Sequence, residues 1–487
     1  MRVGRFTVYR CVPGLAAVVL VACGGGGGGY SAPMMPPPTA TPMPTVTFTS
    51  PAQATTVSFG RTVQLAWTST NATTCTATTS STIGGAFTGT QPASGTATVA
   101  PTAAGTVTYT LMCSGAGGSA SATTSTVTVG PSILSTLSVA GIIQIGSTID
   151  PIEMGGNPYG LAIAPITTGL ITAGDLVACN FNDGATNTQG LGTTIVGLHP
   201  TAGAMPYRIA QSSQLQGCNA LAMLPDDSIS AAAFGASQSA LVTAAGVVNT
   251  PFSADTFGHP WGEAYAAAKG QNPAALYVSN FDGSIDRITL NGDTQTAFTQ
   301  IATGFCGSGA PGGVFAPSGL TYDASIDTLY IVDTSSNSVV AFAGVSSIGA
   351  AGVVVNGQCP PGTMPPTPAP TFSGPSAASA RVIATGGALF TPLSAALLSN
   401  GDLIVGDADI NIGSQMPNLV FEISPVLPGG FVGQPVQLDT GAPGALFGIV
   451  ATVDAQGNQI VYFNDDNNNA VMKITTSPAA PPMMSPY

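Results

Sequence analysis

Short runs in which polar and apolar residues alternate recur between residues 46 and 129. They read "TVQLAWTS", "TATVAP", "TVTYTLMC" and "STVTV". Alternation with a period of two, built from Thr and Val, predicts strands with one buried and one exposed face. About seven such strands in roughly 85 residues favour a β-sandwich, which we place at residues 46–130 with Trp67 as its core aromatic.

A longer pattern then repeats six times. Each unit has a Pro-x-Gly-like start, a strand of small apolar residues, a Gly, Asn or Asp turn, and a Val/Ile/Tyr strand that ends in Asp or Asn. A polar turn and a third apolar strand complete it. The units begin at Gly156, Gln216, Gly258, Phe315, Phe390 and Ala445. They average about 56 residues, longer than common repeat units, and the excess lies in loops such as residues 359–378.

Units one, three and four carry the full pattern, as "NPYGLAIAP", "HPWGEAYAA" with "LYVSNFDGSIDRI", and "APSGLTYD" with "LYIVDTSSNSVVAF". These stretches resemble NHL-type β-propellers, which implies a six-bladed propeller over residues 137–475. Unit six lacks a fourth strand, and the run "SVAGIIQIGS" (138–147) belongs to no unit. We therefore expect this run to pair with blade six and close the ring.

The earlier stretch "LAWTSTNATTCTA" resembles immunoglobulin-like modules of bacterial surface proteins, although Trp67 precedes both cysteines of the segment. The predicted fold class is thus all-β: a small immunoglobulin-like sandwich followed by a six-bladed β-propeller. The sandwich would serve as a stalk or an adhesive module, or as a plain spacer.

The N-terminus reads as an export signal over residues 1–22. Arg2, Arg5 and Arg10 precede a short apolar run, 12–22, which is shorter than the roughly 20 residues that span a bilayer. The following "LVAC" resembles the lipobox of bacterial lipoproteins, which implies lipidation at Cys23; the alternative is an ordinary signal peptide with a chance cysteine. In that family an Asp after the cysteine favours inner-membrane retention, so Gly24 implies the outer membrane.

Residues 23–45 are first rich in Gly and then rich in Pro. Such a segment is predicted to be a tether whose Gly-rich part is flexible and whose Pro-rich part is stiffer. Residues 476–487 are expected to be a disordered tail. The predicted location is therefore the bacterial cell envelope, with a globular body held off the membrane.

The net charge of the chain limits the kinds of partner that it can bind. Charged residues make up 6% of the 487 residues, and the net charge of −13 becomes −16 when the three signal arginines are removed. The six remaining basic residues exclude an electrostatic nucleic-acid binder, and an acidic surface does not attract anionic membranes. The membrane contact would be the lipid alone, and the ligand an unknown protein, glycan or small molecule. No Asp or Glu precedes Asp150, which favours a domain boundary near residues 130–137.

Export to an oxidising compartment favours disulfides. The predicted pairs are Cys75–Cys113 in the sandwich, and Cys179–Cys218 and Cys306–Cys359 as local staples between repeats, although sequence alone does not prove connectivity. No CxxC or CxxCH motif supports zinc, thioredoxin or c-type haem chemistry.

Catalytic motifs are sparse. The two histidines, His199 and His259, are predicted in turns, which disfavours a His-based triad or lyase mechanism. No GxSxG elbow precedes a helix, and the Gly-rich stretch 307–313 lacks the Lys of a phosphate loop.

Acidic and amide residues follow the second strand of five units, on loops that emerge on one face of a propeller. Such oxygen donors suit calcium, whereas their recurrence in nearly every unit is what turn chemistry predicts. The candidates are Asn180, Asp183, Asn280, Asp282, Asp333, Asp407 and Asp465.

A break in the repeat is a sharper pointer. Glu263 replaces a small apolar residue near the predicted axis, where a carboxylate is costly without a partner, and Glu153 lies just ahead of unit one. Some six-bladed lactonases hold axial calcium with Glu, Asn and Asp, and Glu263 with Asn280 resembles that set only loosely. The sequence favours a binding or scaffolding platform over an enzyme; the alternatives are a calcium-dependent lactonase-like hydrolase and a structural envelope protein.

Overall fold

The fold is taken from a computed structural model that describes residues 40–137, 141–249, 252, 257–307, 315–357, 368–387, 389–408, 417–427 and 429–476. The predicted signal peptide, Cys23, most of the tether, Cys359 and residues 477–487 lie outside the described residues. Among the residues described, no helix is long and apolar enough to cross a membrane.

The first ten strands surround one core. Their sheets have the orders β1-β3-β6, β2-β10-β7 and β5-β4-β8-β9. The strands are β1 (Thr45–Ser50), β2 (Thr55–Ser58), β3 (Val63–Thr70), β4 (Thr74–Thr79), β5 (Gly89–Gln91), β6 (Gly95–Val99), β7 (Gly105–Val107), β8 (Tyr109–Gly115), β9 (Gly118–Thr123) and β10 (Val127–Gly130). The short helix α1 (Ile133–Thr136) follows them.

The alternation of apolar and polar residues along β3 determines which of its side chains are buried. Val63, Leu65 and Trp67 are buried while the residues between them are not, as period-two patterning requires. Trp67 is 2% exposed and lies edge-on to Phe87, with 5.8 Å between ring centroids. Its role as core aromatic is confirmed; the immunoglobulin-like strand arrangement stays a prediction.

The predicted Cys75–Cys113 disulfide is present. The two cysteines are direct partners of the neighbouring strands β4 and β8, with 4.0 Å between their Cα atoms. The bond therefore lies within one sheet rather than between two.

The remaining strands form six sheets, the blades of a β-propeller. Blade one is β12 (Gly156–Ile163), β13 (Leu176–Asn182), β14 (Gln189–Leu198) and β15 (Tyr207–Gln211); blade two is β16 (Cys218–Met223), β17 (Ile229–Ala233) and β18 (Gln238–Val242); blade three is β19 (Pro260–Ala266), β20 (Ala274–Asn280), β21 (Ile285–Asn291) and β22 (Thr294–Thr303). Blade four is β23 (Pro317–Asp323), β24 (Thr328–Asp333), β25 (Ser338–Ala343) and β28 (Ala380–Thr385); blade five is β29 (Pro392–Leu397), β30 (Leu403–Asp407), β31 (Leu419–Ile423) and β32 (Phe431–Gln437); blade six is β33 (Ile449–Val453), β34 (Gln459–Asp465), β35 (Ala470–Thr475) and β11 (Ile143–Ser147). The predicted all-β class, a sandwich followed by a six-bladed propeller, is confirmed.

The propeller ring is closed by the segment predicted to close it, the run 138–147. Its described part contains β11, which pairs antiparallel with β35 of blade six. Ile145 of this strand is 1% exposed and packs with residues of blades one and six. The two ends of the propeller are thus joined in one sheet, which leaves no open seam.

Blade three has an extension that the repeats did not predict. Strands β26 (Val353–Asn356) and β27 (Thr371–Ser373) are inserted in the chain of blade four but add to the sheet of blade three, with β26 parallel to β22. Part of the stretch interpreted as a loop, 359–378, is therefore a strand.

Side-chain hydrogen bonds join neighbouring blades. Ser279 donates to the carbonyl of Ser318 at 2.8 Å, Ser394 to that of Leu446 at 2.9 Å, and Asn464 to that of Tyr159 at 3.1 Å. Blades one and two are joined by the predicted Cys179–Cys218 disulfide. Cys306 is also disulfide-bonded; its predicted partner Cys359 is outside the described residues.

The sandwich packs against blade five. Arg61 forms an ion pair of 3.1 Å with Asp402, and Ser424 donates to the carbonyl of Gly60 at 2.6 Å. The backbone N–H of Leu134 in α1 donates to Glu422 at 2.7 Å. The predicted limits of the two domains, 46–130 and 137–475, stay predictions.

Candidate functional site

An axial channel runs between the innermost strands of the six blades. Each inner strand begins at what we call the upper face, where the second strands end, and finishes at the lower face. The channel has an upper chamber of about 80 Å³ and a lower chamber of about 390 Å³. Each blade contributes three consecutive residues to each chamber, and the two chambers share one layer of residues.

Aromatic rings line the upper end of this channel. Tyr159 stacks on Phe181 and on Phe447, with centroid distances of 4.3 and 3.6 Å. Trp261 packs edge-on against Phe281 at 4.9 Å and is 5% exposed. The rings come from the start of inner strands and from the ends of second strands, so these two sets of strand ends meet around the axis.

Below the aromatic layer the inner strands approach so closely that little beyond glycine fits. A Cβ on Gly262 would lie 1.9 Å from the carbonyl oxygen of Ser318, and one on Gly448 would lie 2.6 Å from that of Tyr159. Gly160 and Gly319 occupy the same position in blades one and four. The Pro-x-Gly-like start of the repeat thus reflects steric crowding around the axis.

Glu263 occupies the layer shared by both chambers, one residue after this crowded ring. It is 6% exposed, and its Oε1 accepts a 2.5 Å hydrogen bond from Ser239 of blade two. Its Oε2 accepts no hydrogen bond from the described residues. Burial raises the pKa of Glu263 to about 7, a shift that the Ser239 and Ser230 hydroxyls partly oppose. The five residues in the same layer of the other blades are Leu161, Leu221, Leu320, Ala395 and Ile449.

The lower chamber has an apolar rim. One half-buried side chain from near the end of each inner strand lines it: Ile163, Met223, Tyr265, Tyr322, Leu397 and Ala451. The volume lies within the range of small-molecule sites, which combine apolar side chains with a few convergent polar groups.

The predicted acidic loop residues lie mainly in turns of their own blades. Asp183 accepts from Thr186 and Thr188, Asp282 from Ser284, and Asp465 from Asn468. These are local side-chain to turn bonds, the alternative that recurrence in the repeat favoured. Within the described chain no three His, Cys, Asp or Glu side chains lie together as metal ligands.

The other acidic candidates are held in similar ways. Asp333 is fully buried and accepts from Ser335 and Ser336, and burial raises its pKa to about 6. Asp407 accepts from the backbone N–H of Phe390. Glu153 is exposed and lies 3.9 Å from Arg208, a residue of the outermost strand of blade one. It does not line either chamber.

Asn280 does not line the channel beside Glu263. Asn280 donates to Ser284 at 3.0 Å and to Asp286 at 2.7 Å, so its amide serves contacts inside blade three. The fully buried Asn180 donates to the carbonyl of Thr148 at 3.0 Å. Neither asparagine borders the channel.

Both histidines have structural contacts. His259 has a φ of 63° at the start of β19, and Asn157 has a φ of 59° at the same place in β12. This left-handed conformation confirms the turn interpretation for His259 and explains why Asn takes its place in unit one. His199 follows β14 and hydrogen-bonds Asp175 at 2.6 Å.

No protein-family model and no curated protein sequence matches the chain. Among solved structures it is similar to virginiamycin B lyase from Staphylococcus aureus, at a TM-score of 0.40 and 13% identity, over 69% of this chain and 98% of the lyase. A streptogramin B lyase structure gives 0.39 and 13%, over 68% and 96%. A nidogen/laminin complex gives 0.36 and 14%, over 56% and 77%. Similarity of this degree says nothing about activity or partners.

Proposed function

We propose that this chain is a lipid-anchored protein of the bacterial cell envelope whose propeller binds a small, largely apolar ligand at the lower mouth of its axial channel. The observation that carries the proposal is the rim of six half-buried side chains, four of them aliphatic or thioether and two tyrosines, around the 390 Å³ lower chamber. Exposed apolar surface gathered in a concavity is unfavourable in water and typical of a binding site.

The upper face of the propeller is a less suitable ligand site than the lower face. Packed aromatic rings surround the axis at the upper face, and the carboxylates of Asp183 and Asp282 are hydrogen-bonded within their own turns. Ligand access to the channel therefore favours the lower face.

Binding suits the lining better than catalysis does. Acid–base or nucleophilic chemistry needs at least two groups in hydrogen-bond contact, a nucleophile or acid with its base. The described lining has one carboxyl, that of Glu263. The hydroxyl in hydrogen-bond distance of it belongs to Ser239, which is fully buried and lines neither chamber, so a ligand in the channel would not meet that hydroxyl. The channel lining is thus suited to recognition of a ligand.

A mouth-filling substitution tests the proposal. Ala451→Trp places a large ring in the rim, whereas Val453→Trp adds the same ring two residues on in the same strand, at a position 46% exposed and outside the lining. We expect dansylamide, a neutral solvatochromic probe, to bind the folded protein saturably. Ala451→Trp should weaken that binding at least tenfold, and Val453→Trp should leave it within twofold. Absence of saturable binding, or equal affinity in all three proteins, contradicts a ligand site at this mouth.

The anchor has a separate test. Cys23→Ala removes the predicted lipidated thiol, and we expect the protein to move from the membrane fraction to the soluble fraction, because an acidic body has no electrostatic attraction to anionic lipid. Metabolic labelling with a radioactive fatty acid should label wild type and not the variant. A variant that stays in the membrane fraction without label would overturn the lipoprotein assignment.

A further inference from the structure

We propose that the ligand of the axial channel is a small organic cation, a primary ammonium on a short apolar body, with the ammonium against Glu263 and the body in the lower chamber. The inference rests on the proposed function, because it names the ligand class of the same site. It also assigns Glu263 as the residue that determines specificity there.

The carboxyl of Glu263 is built to accept one more donor. Ser239 donates to Oε1 at 2.5 Å, and a 2.8 Å bond to Ser230 holds that hydroxyl in turn. One oxygen is thereby fixed, while Oε2 is buried and accepts from no described residue. A buried acceptor without a donor is costly, and an ammonium group, which carries three donors, would satisfy it.

A second acceptor borders the same space. Asn219 donates its Nδ2 to the carbonyl of Trp261 at 2.6 Å, which leaves its buried Oδ1 without a donor among the described residues. Asn219 and Glu263 both line the upper chamber. The channel therefore presents two acceptors and one negative charge at its inner end, with apolar side chains at its outer end.

This combination favours an organic cation over a metal ion. Calcium takes six to eight oxygen ligands, often several carboxylates, and the described lining has one carboxyl. An apolar rim also contributes nothing to a bare ion, whereas it stabilises the hydrocarbon part of an amine by removing it from water.

Protonation of Glu263 should control this binding. From blade two it faces the hydroxyls of Ser230 and Ser239, and no Asp, Lys, Arg or His is among the described lining residues. The other ionisable groups of the chambers are phenols whose pKa burial raises, namely Tyr159, Tyr265 and Tyr322. Near neutral pH, Glu263 is thus the group in the channel that changes charge.

The experiment compares n-hexylammonium with n-hexanol, which match in apolar length and differ in charge, by calorimetric titration of the mature protein. At pH 8 we expect the ammonium to bind at least tenfold more tightly than the alcohol. Glu263→Gln should remove that preference and leave hexanol within twofold. Lowering the pH to 5.5 should weaken ammonium binding to wild type roughly thirtyfold, because a ligand of the ionised form alone competes with the proton, and should leave hexanol unchanged.

The outcomes separate the two proposals. Equal affinity for both probes, unaffected by Glu263→Gln and by pH, overturns the cation and keeps the apolar site. Binding of neither probe contradicts the proposed function itself. Calcium chloride is the third titrant, and a calcium signal lost in Glu263→Gln would overturn the organic cation in favour of a metal.

A free amine and a lysyl side chain of a partner share this chemistry. A lysine blocked at both its α-amino and carboxyl groups, titrated beside hexylammonium, distinguishes them. Binding of the blocked lysine at comparable affinity assigns the cation to a partner's surface, and binding of hexylammonium alone assigns it to a small ligand.

Discussion

Gly262→Ala should destabilise the propeller by about 2–6 kcal/mol, if the variant folds at all. The added Cβ would lie 1.9 Å from the carbonyl oxygen of Ser318 and 2.7 Å from the hydroxyl of Ser279. The first is backbone of the next blade and moves only if the inner strands separate, which costs typically 1–3 kcal/mol as overpacking. The second belongs to the 2.8 Å hydrogen bond between blades three and four, whose loss adds about 1–3 kcal/mol.

Denaturant unfolding followed by tryptophan fluorescence measures this effect. The chain has two tryptophans, Trp67 in the sandwich and Trp261 in the propeller, so a Trp67→Phe background makes the signal report the propeller. Gly349→Ala is the matched control, because a Cβ there meets no atom within 4 Å. Gly160→Ala should fall between the two, since its nearest contact is 3.0 Å. Equal stability of Gly262→Ala and the control would show that the inner strands are not close-packed at the axis.

Gly262 also illustrates which features of the fold could be predicted from the sequence and which could not. The stretch "HPWGEAYAA" predicted the start of a blade, because repetition at a fixed offset is visible along one chain. It could not show why glycine is needed, since the atoms that exclude a side chain belong to Ser318 in the next blade. Glu263 could be identified from the sequence because it stands where the other repeats have an apolar residue. Comparison of the repeats along the chain is sufficient to show this.

The apolar rim was missed for a related reason. Its residues lie in six different units, 42 to 75 positions from one to the next, and no local window contains two of them. A signal does exist: when the units are aligned on the small residue of the crowded ring, each rim residue stands three positions later, as Gly160 to Ile163 and Gly262 to Tyr265 illustrate. The acidic turns were conspicuous in the sequence because Asp and Asn recur at the same place in five units, but their contacts are local.

The propeller should be more stable in mild acid than above neutral pH. Burial raises the pKa values of Glu263, Asp286 and Glu422 to about 7 and that of Asp333 to about 6. A carboxyl whose pKa is higher in the folded state binds more protons there than in the unfolded chain, so the free energy of unfolding falls as pH rises between the two values. The window runs from about pH 4.5 to about pH 7.

Each of these groups is at least nine-tenths buried, and one pKa unit corresponds to about 1.4 kcal/mol. We therefore expect the free energy of unfolding to be at least about 2 kcal/mol higher at pH 5 than at pH 8. Below about pH 4 the trend should reverse, since hydrogen bonds from Arg208 and from nearby backbone N–H groups lower the pKa of the buried Asp150 and its protonation costs stability.

Guanidinium unfolding at pH 5, 6.5 and 8 in the Trp67→Phe background tests the sign. Asp286→Asn should flatten the slope, because it removes one of the groups that take up a proton on folding. Asp454→Asn is the control, because Asp454 lies on the surface and hydrogen bonds with Asn458 lower its pKa, which keeps it ionised throughout the window. A stability that rises from pH 5 to pH 8 would mean that the folded propeller holds these carboxyls ionised, and the cation proposed for Glu263 would then bind with no change over the same range.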